Sequence, residues 1–362
     1  MHLSGESYNS VMLLEGIFPA ITTPFYPDGR VYLKKLEHNV ERYSRTPAAG
    51  MVVLGSTGEA VMLSDDESRD VLRHAAHSAA PDKVLLAGVG RESVHETLRL
   101  AEYAGDHQYD AVLVRTPHYY GPQMNARALL TYYQTLADRS PLPVVLYSIP
   151  RFTHIEIPVE VVAELAQHPN IIAIKDSSGS VERLAALVAA TRSAPKRSVP
   201  VTPVFAAITN RMILVETEAT LLPVGMLAGD PMSFPVPAPS PIVTTMRRKE
   251  VGFQVLSGSA ETLLTALEGG ASGAVLAFAA PAPQACQEIY IAWKDNDAAI
   301  AQEKQQRIIA ASRLVIGKYG IAGLKHACDL NGYYGGVPRI PLLPLNAEEQ
   351  AEVAAAMAEI RN

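Results

Sequence analysis

Short apolar runs recur along the chain at residues 18–22, 51–54, 83–87, 111–115, 143–147, 171–175, 253–257 and 274–278. They are too short for helices and are continuous rather than alternating. That is the pattern of strands buried on both faces of a parallel sheet. Amphipathic stretches with helical spacing fill the intervals. Ser64-Asp65-Asp66-Glu67 reads as a capping box opening the helix after the second run. Pro158, in Ile157-Pro158-Val159-Glu160, suits the first turn of another. Strands alternating with helices predict βαβ units, and eight of them predict a (β/α)8 TIM barrel. A doubly wound sheet is the competing α/β architecture, but no Gly-x-Gly-x-x-Gly follows the first run.

Two stretches depart from this rhythm. The interval between the runs at 171–175 and 253–257 is far longer than the others, which places an insertion at about 194–251, before strand seven. Within it, Phe234-Pro235-Val236-Pro237-Ala238-Pro239-Ser240-Pro241 favours polyproline II over a sheet. An insertion there lies in an αβ connection, on the barrel face opposite the expected active site. Beyond strand eight the pattern turns helical, at 283–295, 298–318, 320–331 and 346–360. The expected organisation is an N-terminal extension (1–14), a barrel (15–282) and a C-terminal helical appendix (283–362).

With 362 residues and 48% hydrophobic content, the chain can bury a large core. No apolar run reaches membrane-span length, and residues 1–12 lack the basic and apolar regions of a secretory signal. A net charge of -6 lacks the basic footprint of a nucleic-acid partner. Cys286 and Cys328 form neither a disulfide framework nor a metal-ligand spacing. The ten histidines include no His-x-x-x-His pair with an accompanying glutamate, so no catalytic metal is expected. A soluble cytoplasmic protein acting on a small molecule is the expectation.

Barrel chemistry gathers at the C-terminal ends of the strands. There the runs give way to Thr22-Thr23, Gly55-Ser56-Thr57-Gly58-Glu59, Thr116-Pro117-His118-Tyr119-Tyr120, Tyr147, Lys175 and Ser257-Gly258. Lys175 closes the apolar Ile171-Ile172-Ala173-Ile174. An amine held in an apolar site can attack a ketone and form a Schiff base, although an isolated strand-end lysine more often reaches out to water. Gly55-Ser56-Thr57-Gly58 offers backbone amides and two hydroxyls to a small carboxylate; alone it is also an ordinary glycine-rich turn. Tyr147 suits proton transfer near an imine nitrogen or plugs the core. Tyr119 and Tyr120 by themselves suit surface packing.

Taken together, these residues resemble the dihydrodipicolinate synthase/N-acetylneuraminate lyase family, the pyruvate-dependent class I aldolases. The resemblance spans residues 15–345 apart from the insertion. It rests on Gly16-Ile17-Phe18-Pro19-Ala20 with Thr22-Thr23-Pro24-Phe25, Gly55-Ser56-Thr57-Gly58-Glu59-Ala60 before Leu63-Ser64, Tyr147-Ser148-Ile149-Pro150, Ile174-Lys175-Asp176-Ser177-Ser178-Gly179 and Gly332-Tyr333-Tyr334-Gly335-Gly336. It implies that Lys175 is the Schiff-base lysine and Tyr147 the proton relay. Ser56 and Thr57, with Gly55, would bind the pyruvyl carboxylate, and Ser56 would link Tyr147 to a second tyrosine. That tyrosine aligns with Tyr119, or with Tyr120 because His118 makes the alignment ambiguous, and in the family it comes from a neighbouring subunit. Gly258 and Val275 match positions lining the pyruvate pocket. The resemblance also implies a homotetramer built as a dimer of dimers, with no metal or organic cofactor.

Within the family the chain is most similar to the 4-hydroxy-2-oxoglutarate aldolases, through Tyr147-Ser148-Ile149-Pro150, Pro169-Asn170-Ile171 and 319–325. The expected reaction is cleavage of 4-hydroxy-2-oxoglutarate to pyruvate and glyoxylate. The alternative is a 4-hydroxy-tetrahydrodipicolinate synthase condensing pyruvate with aspartate semialdehyde. In those synthases an arginine that grips the semialdehyde carboxylate aligns with Phe152, whereas here the arginine is Arg151. Arg151 or backbone amides are the candidates for the distal carboxylate. A different class, a catalytically silent barrel that binds an oxo acid, is opposed by the presence together of Lys175, Tyr147, Ser56 and Tyr119.

Overall fold

The protein is described by a computed structural model covering residues 12–213 and 247–360. Its strands are β1 (Gly16–Pro19), β2 (Gly50–Val53), β3 (Val84–Gly88), β4 (Ala111–Arg115), β5 (Val144–Ser148), β6 (Ile171–Asp176), β7 (Arg197–Val201), β8 (Arg247–Val251), β9 (Gln254–Ser257) and β10 (Gly273–Leu276). Eight of them form one parallel sheet in the order β1-β10-β9-β6-β5-β4-β3-β2. The amide of Ile21 donates to the carbonyl of Val52, and that of Ala49 to Ile17, both at 3.0 Å. These bonds join β1 to β2 and close the TIM barrel.

The interior is packed by alternate strand residues, among them Phe18, Val52, Leu86, Leu113, Val145 and Leu256. The opposite faces of the strands meet the surrounding helices in a second, larger cluster. The capping box forms as expected: Ser64 Oγ accepts from the Glu67 amide at 3.2 Å, and Glu67 accepts from the Ser64 amide at 3.0 Å. Among the described residues, no helix is long and apolar enough to cross a membrane.

The inserted segment begins and ends as an antiparallel pair, with Arg197 opposite Val251 and Val201 opposite Arg247. Its described residues lie across the N-terminal ends of barrel strands. Arg197 donates to the carbonyls of His168 and Ile171, both at 2.9 Å, at the start of β6. Asn210 donates to the carbonyl of Tyr109 and to the carboxylate of Asp110, just before β4. Thr209 and Arg211 bond the carbonyls of Pro81 and Lys83 ahead of β3. The proline run at 234–241 lies outside the described residues.

The C-terminal helices Pro283–Lys294, Ala298–Ser312, Gly320–Leu330 and Ala347–Met357 pack beside β1, β10 and the helix Leu263–Glu268 around a core of their own. Residues Arg313–Lys318 between the second and third are π-helical. Ile321 and Leu342 of this region reach the C-terminal mouth of the barrel.

Candidate active site

In a strand, alternate residues share one face. Leu113 of β4, Val145 of β5 and Ala173 of β6 point into the barrel. Two residues further on, the same face presents Arg115, Tyr147 and Lys175. The strand register pairs Arg115 with Tyr147 and Tyr147 with Lys175. The apolar interior therefore ends, at the C-terminal mouth, in a guanidinium, a phenol and an amine side by side.

Lys175 is only 4% exposed, and its Nζ sits 4.1 Å from the centroid of the Tyr147 ring. It has no ion-pair partner among the described residues. Lys325, equally hidden, provides the contrast: its Nζ lies 2.5 Å from Glu59 Oε1 and donates to the carbonyl of Val337 at 2.9 Å. A buried amine left without a counter-charge is suited to nucleophilic attack. Tyr147 Oη is 3.4 Å from Ser56 Oγ. That is longer than the usual ~2.7–2.8 Å for paired hydroxyls, and catalytic contacts of this kind tighten when substrate arrives.

Ser56–Gly58 forms a single 3-10 turn after Gly55, and no side chain caps it. The first amides of such a turn have no acceptor within it, and among the described residues those of Ser56 and Thr57 have no backbone acceptor. The turn is flanked by two non-glycine residues in the left-handed region, Leu54 at φ 60° and Glu59 at φ 54°. Such backbone is costly and persists where surrounding structure enforces it. Here the enforcement is visible. Thr23 Oγ1 donates to the Gly58 carbonyl at 2.7 Å. The buried Glu59 carboxylate pairs with Lys325 and accepts the Arg339 amide at 2.8 Å. A Cβ on Gly88 would stand 2.0 Å from the Leu54 carbonyl oxygen, so only glycine lets β3 approach this closely.

A cavity of about 680 Å³ opens above these residues, lined by Gly55, Ser56, Tyr147, Arg115, Phe152 and Tyr119, among others. Lys175 stands behind the ring of Tyr147. Thr57 is buried within the turn. Val275 belongs to the interior core below. Gly258 packs against the end of β6: its amide donates to the Asp176 carbonyl at 2.7 Å, and a Cβ there would fall 2.0 Å from Ser177 Oγ. A second depression, beside the helix Ala126–Arg139, contains none of the candidate residues.

Arg151 does not join the site. It is exposed, and its Nη2 donates to the carbonyl of Gly317 at 3.3 Å. The reason is local: residues Pro150–Thr153 form a helical turn, in which successive side chains diverge by about 100°. Phe152 therefore lines the cavity, whereas Arg151 stays outside the lining, its guanidinium 5.8 Å from the centroid of the Phe152 ring. Tyr119 reaches the rim and is 76% exposed, with Tyr120 edge-on beside it at 5.1 Å between centroids.

Glu92 fixes the loop that carries Tyr119. Its Oε2 accepts the amides of His118 and Tyr119 at 2.8 and 2.9 Å, and its Oε1 accepts from Arg115 Nη1 at 2.9 Å. Burial alone would raise the Glu92 pKa, but the two amides and the guanidinium outweigh it, and the net shift is downward. Sequence reasoning passed over Arg115, Glu59 and Lys325. Arg115 shows the same sign as Lys175, a cation closing an apolar run. The Glu59–Lys325 pairing joins distant parts of the chain and leaves no local sign.

The Dihydrodipicolinate synthetase family model matches residues 13–195 and 240–360. The chain belongs to this family. It is 29% identical over 341 residues, 94% of its length, to the 4-hydroxy-tetrahydrodipicolinate synthase of Methanothrix thermoacetophila, covering 95% of that protein. Among solved structures it is similar to the chloride-inhibited dihydrodipicolinate synthase of Acinetobacter baumannii in complex with pyruvate. That likeness has TM-score 0.75 and 25% identity, covering 96% of this chain and 99% of that one. A dihydrodipicolinate synthase of Bacillus anthracis gives TM-score 0.76 at 24% identity, with 96% and 99% covered. The family makes the protein a pyruvate-dependent class I aldolase.

Proposed function

We propose that Lys175 is the nucleophile. Its amine attacks the C2 ketone of pyruvate, water leaves, and an imine forms. Loss of a C3 proton then gives the enamine that makes or breaks the carbon–carbon bond. Tyr147 passes protons at the imine and the reacting hydroxyl, linked through Ser56. The hydroxyls and amides of Ser56 and Thr57 hold the pyruvyl carboxylate beside Gly55. The observation that supports this reading best is a buried lysine with no ion-pair partner among the described residues, 4.1 Å from the ring centroid of a tyrosine that contacts the turn. Borohydride reduction with pyruvate tests it. The expected result is one pyruvate-derived adduct, mapped by mass spectrometry to Lys175; an adduct on another lysine, or none, overturns it.

For the acceptor, the relatives support condensation with aspartate semialdehyde, the reaction of a 4-hydroxy-tetrahydrodipicolinate synthase. Full-length matches of 29% and 28% identity carry that name. One observation favours a second reading, cleavage of 4-hydroxy-2-oxoglutarate to pyruvate and glyoxylate. Phe152 lines the cavity where the synthases are expected to place an arginine, and Arg151 is not in the lining but bonded to the Gly317 carbonyl. A phenyl ring cannot replace a bidentate guanidinium. Measuring kcat/KM for both reactions on one preparation decides. A tenfold advantage for either corresponds to ~1.4 kcal/mol of transition-state binding.

A further inference from the structure

Both acceptor readings require a substrate with a second carboxylate, and Arg151 is outside the cavity lining, bonded to the Gly317 carbonyl. Two other arginines line the cavity, Arg91 and Arg115. Arg91 is committed along its whole guanidinium: Nε faces Asp65 at 3.4 Å, Nη1 the Gly90 carbonyl at 3.4 Å and Nη2 Ser68 Oγ at 3.0 Å. Arg115 is committed through Nη1 alone, which lies 2.9 Å from Glu92 Oε1, 3.1 Å from the Thr116 carbonyl and 2.8 Å from His118 Nδ1. Among the described residues its Nε and Nη2 have no hydrogen-bond partner, and neither is a buried orphan. These two N–H groups form one edge of the guanidinium fork, the edge that can donate to both oxygens of a carboxylate.

The position of Arg115 is as restricted as its bonding. The register sets it next to Tyr147, which is next to Lys175, so it stands two strands, roughly 9–10 Å of backbone spacing, from the imine lysine. Gly90 makes room for it: a Cβ at that position would come within 2.8 Å of Arg115 Cγ. Glu92 holds one side of the guanidinium in place and leaves the other open to the cavity.

We propose that Arg115 is a specificity-determining residue that binds the distal carboxylate of the oxo-acid or aldehyde substrate. This rests on the imine reading of Lys175. The test compares 2-oxoglutarate with 2-oxopentanoate, which has the same chain length and lacks the distal carboxylate. Each is trapped on the protein with borohydride, and the concentration giving half-maximal adduct is read by mass. Wild type is expected to prefer 2-oxoglutarate by about 10- to 100-fold, the range of one charge-assisted hydrogen-bonded contact. Arg115→Met is expected to abolish the preference by weakening 2-oxoglutarate alone, and Arg115→Lys to retain part of it. No preference in wild type, or equal weakening of both acids in a folded Arg115→Met or Arg115→Lys protein, overturns the proposal. Trapping of pyruvate by wild type is the separate control: its failure removes the imine reading itself.

Discussion

Two lysines of this chain are almost equally inaccessible, and their surroundings assign them different work. Lys325 is neutralised by Glu59 at 2.5 Å and lies over the ring of Phe25; every part of its ammonium environment is structural. Lys175 has a phenol ring beside it and, among the described residues, no carboxylate partner. Replacing Lys175 with alanine is therefore expected to abolish turnover and borohydride trapping while leaving the thermal melt close to that of wild type. A retained adduct would move the imine to another residue. Tyr147→Phe keeps the ring against Lys175 and removes only the hydroxyl. It is expected to lower kcat by ~10²–10⁴-fold, the usual contribution of a positioned acid–base group, with a smaller change in the concentration of pyruvate needed for half-trapping. Unchanged kcat would remove Tyr147 from the proton relay.

At the scale of elements, the site depends on parts of the chain far from the strands that display it. The Ser56–Gly58 turn is held from below by Glu59, and Glu59 by Lys325 of the helix Gly320–Leu330. Lys325→Met would leave the Glu59 charge buried and unpaired, a defect that typically costs about 3–5 kcal/mol. The expected result is a lower denaturant midpoint together with a raised KM for pyruvate. Adding Glu59→Gln should recover part of the stability, because a neutral amide tolerates burial better than a lone carboxylate. A single mutant as stable as wild type would show that the pair does not hold the turn.

The inserted segment makes the opposite prediction. Its described ends bond to backbone at the N-terminal ends of β3, β4 and β6, away from the mouth. Deleting 233–241 is expected to leave the substrate KM nearly unchanged, and a large increase in a folded protein would place that run near a site. Legibility follows the same division. The barrel strands could be read because strands buried on both faces are continuous apolar runs, and Lys175 and Tyr147 because each ends one. β7 and β8 could not, since Arg197-Ser198-Val199-Pro200-Val201 contains a proline and Arg247-Arg248-Lys249-Glu250-Val251 is mostly charged. For the distal carboxylate the sequence leaves Arg151 and backbone amides both open, because the helical turn Pro150–Thr153, which sends neighbouring side chains to different faces, is invisible in a residue count.

At the scale of the whole molecule, the mouth of the barrel is unusually apolar for a surface bathed in water. Val61, Tyr119 and Phe152 are 71%, 76% and 54% exposed, and all three line the cavity. Tyr120 stands beside them. Exposed apolar and aromatic groups gathered around a site mark an interaction surface. By family resemblance Tyr119, or failing it Tyr120, aligns with a tyrosine that a neighbouring subunit supplies, and we propose that the active unit is at least a dimer in which Tyr119 of one copy completes the site built on Lys175 of the other. A site shared between two copies predicts a specific complementation. Tyr119→Phe and Lys175→Ala proteins should each be nearly inactive alone. When the two are dissociated, mixed and reassembled, a hybrid dimer contains one site with both mutations and one with neither. Activity should therefore reappear in proportion to the hybrids, counted by native mass spectrometry. If Tyr119 instead serves the barrel that carries it, every site in a hybrid retains one defect and activity stays at the level of the separate mutants. Demonstrated hybrids without recovery would overturn the shared site.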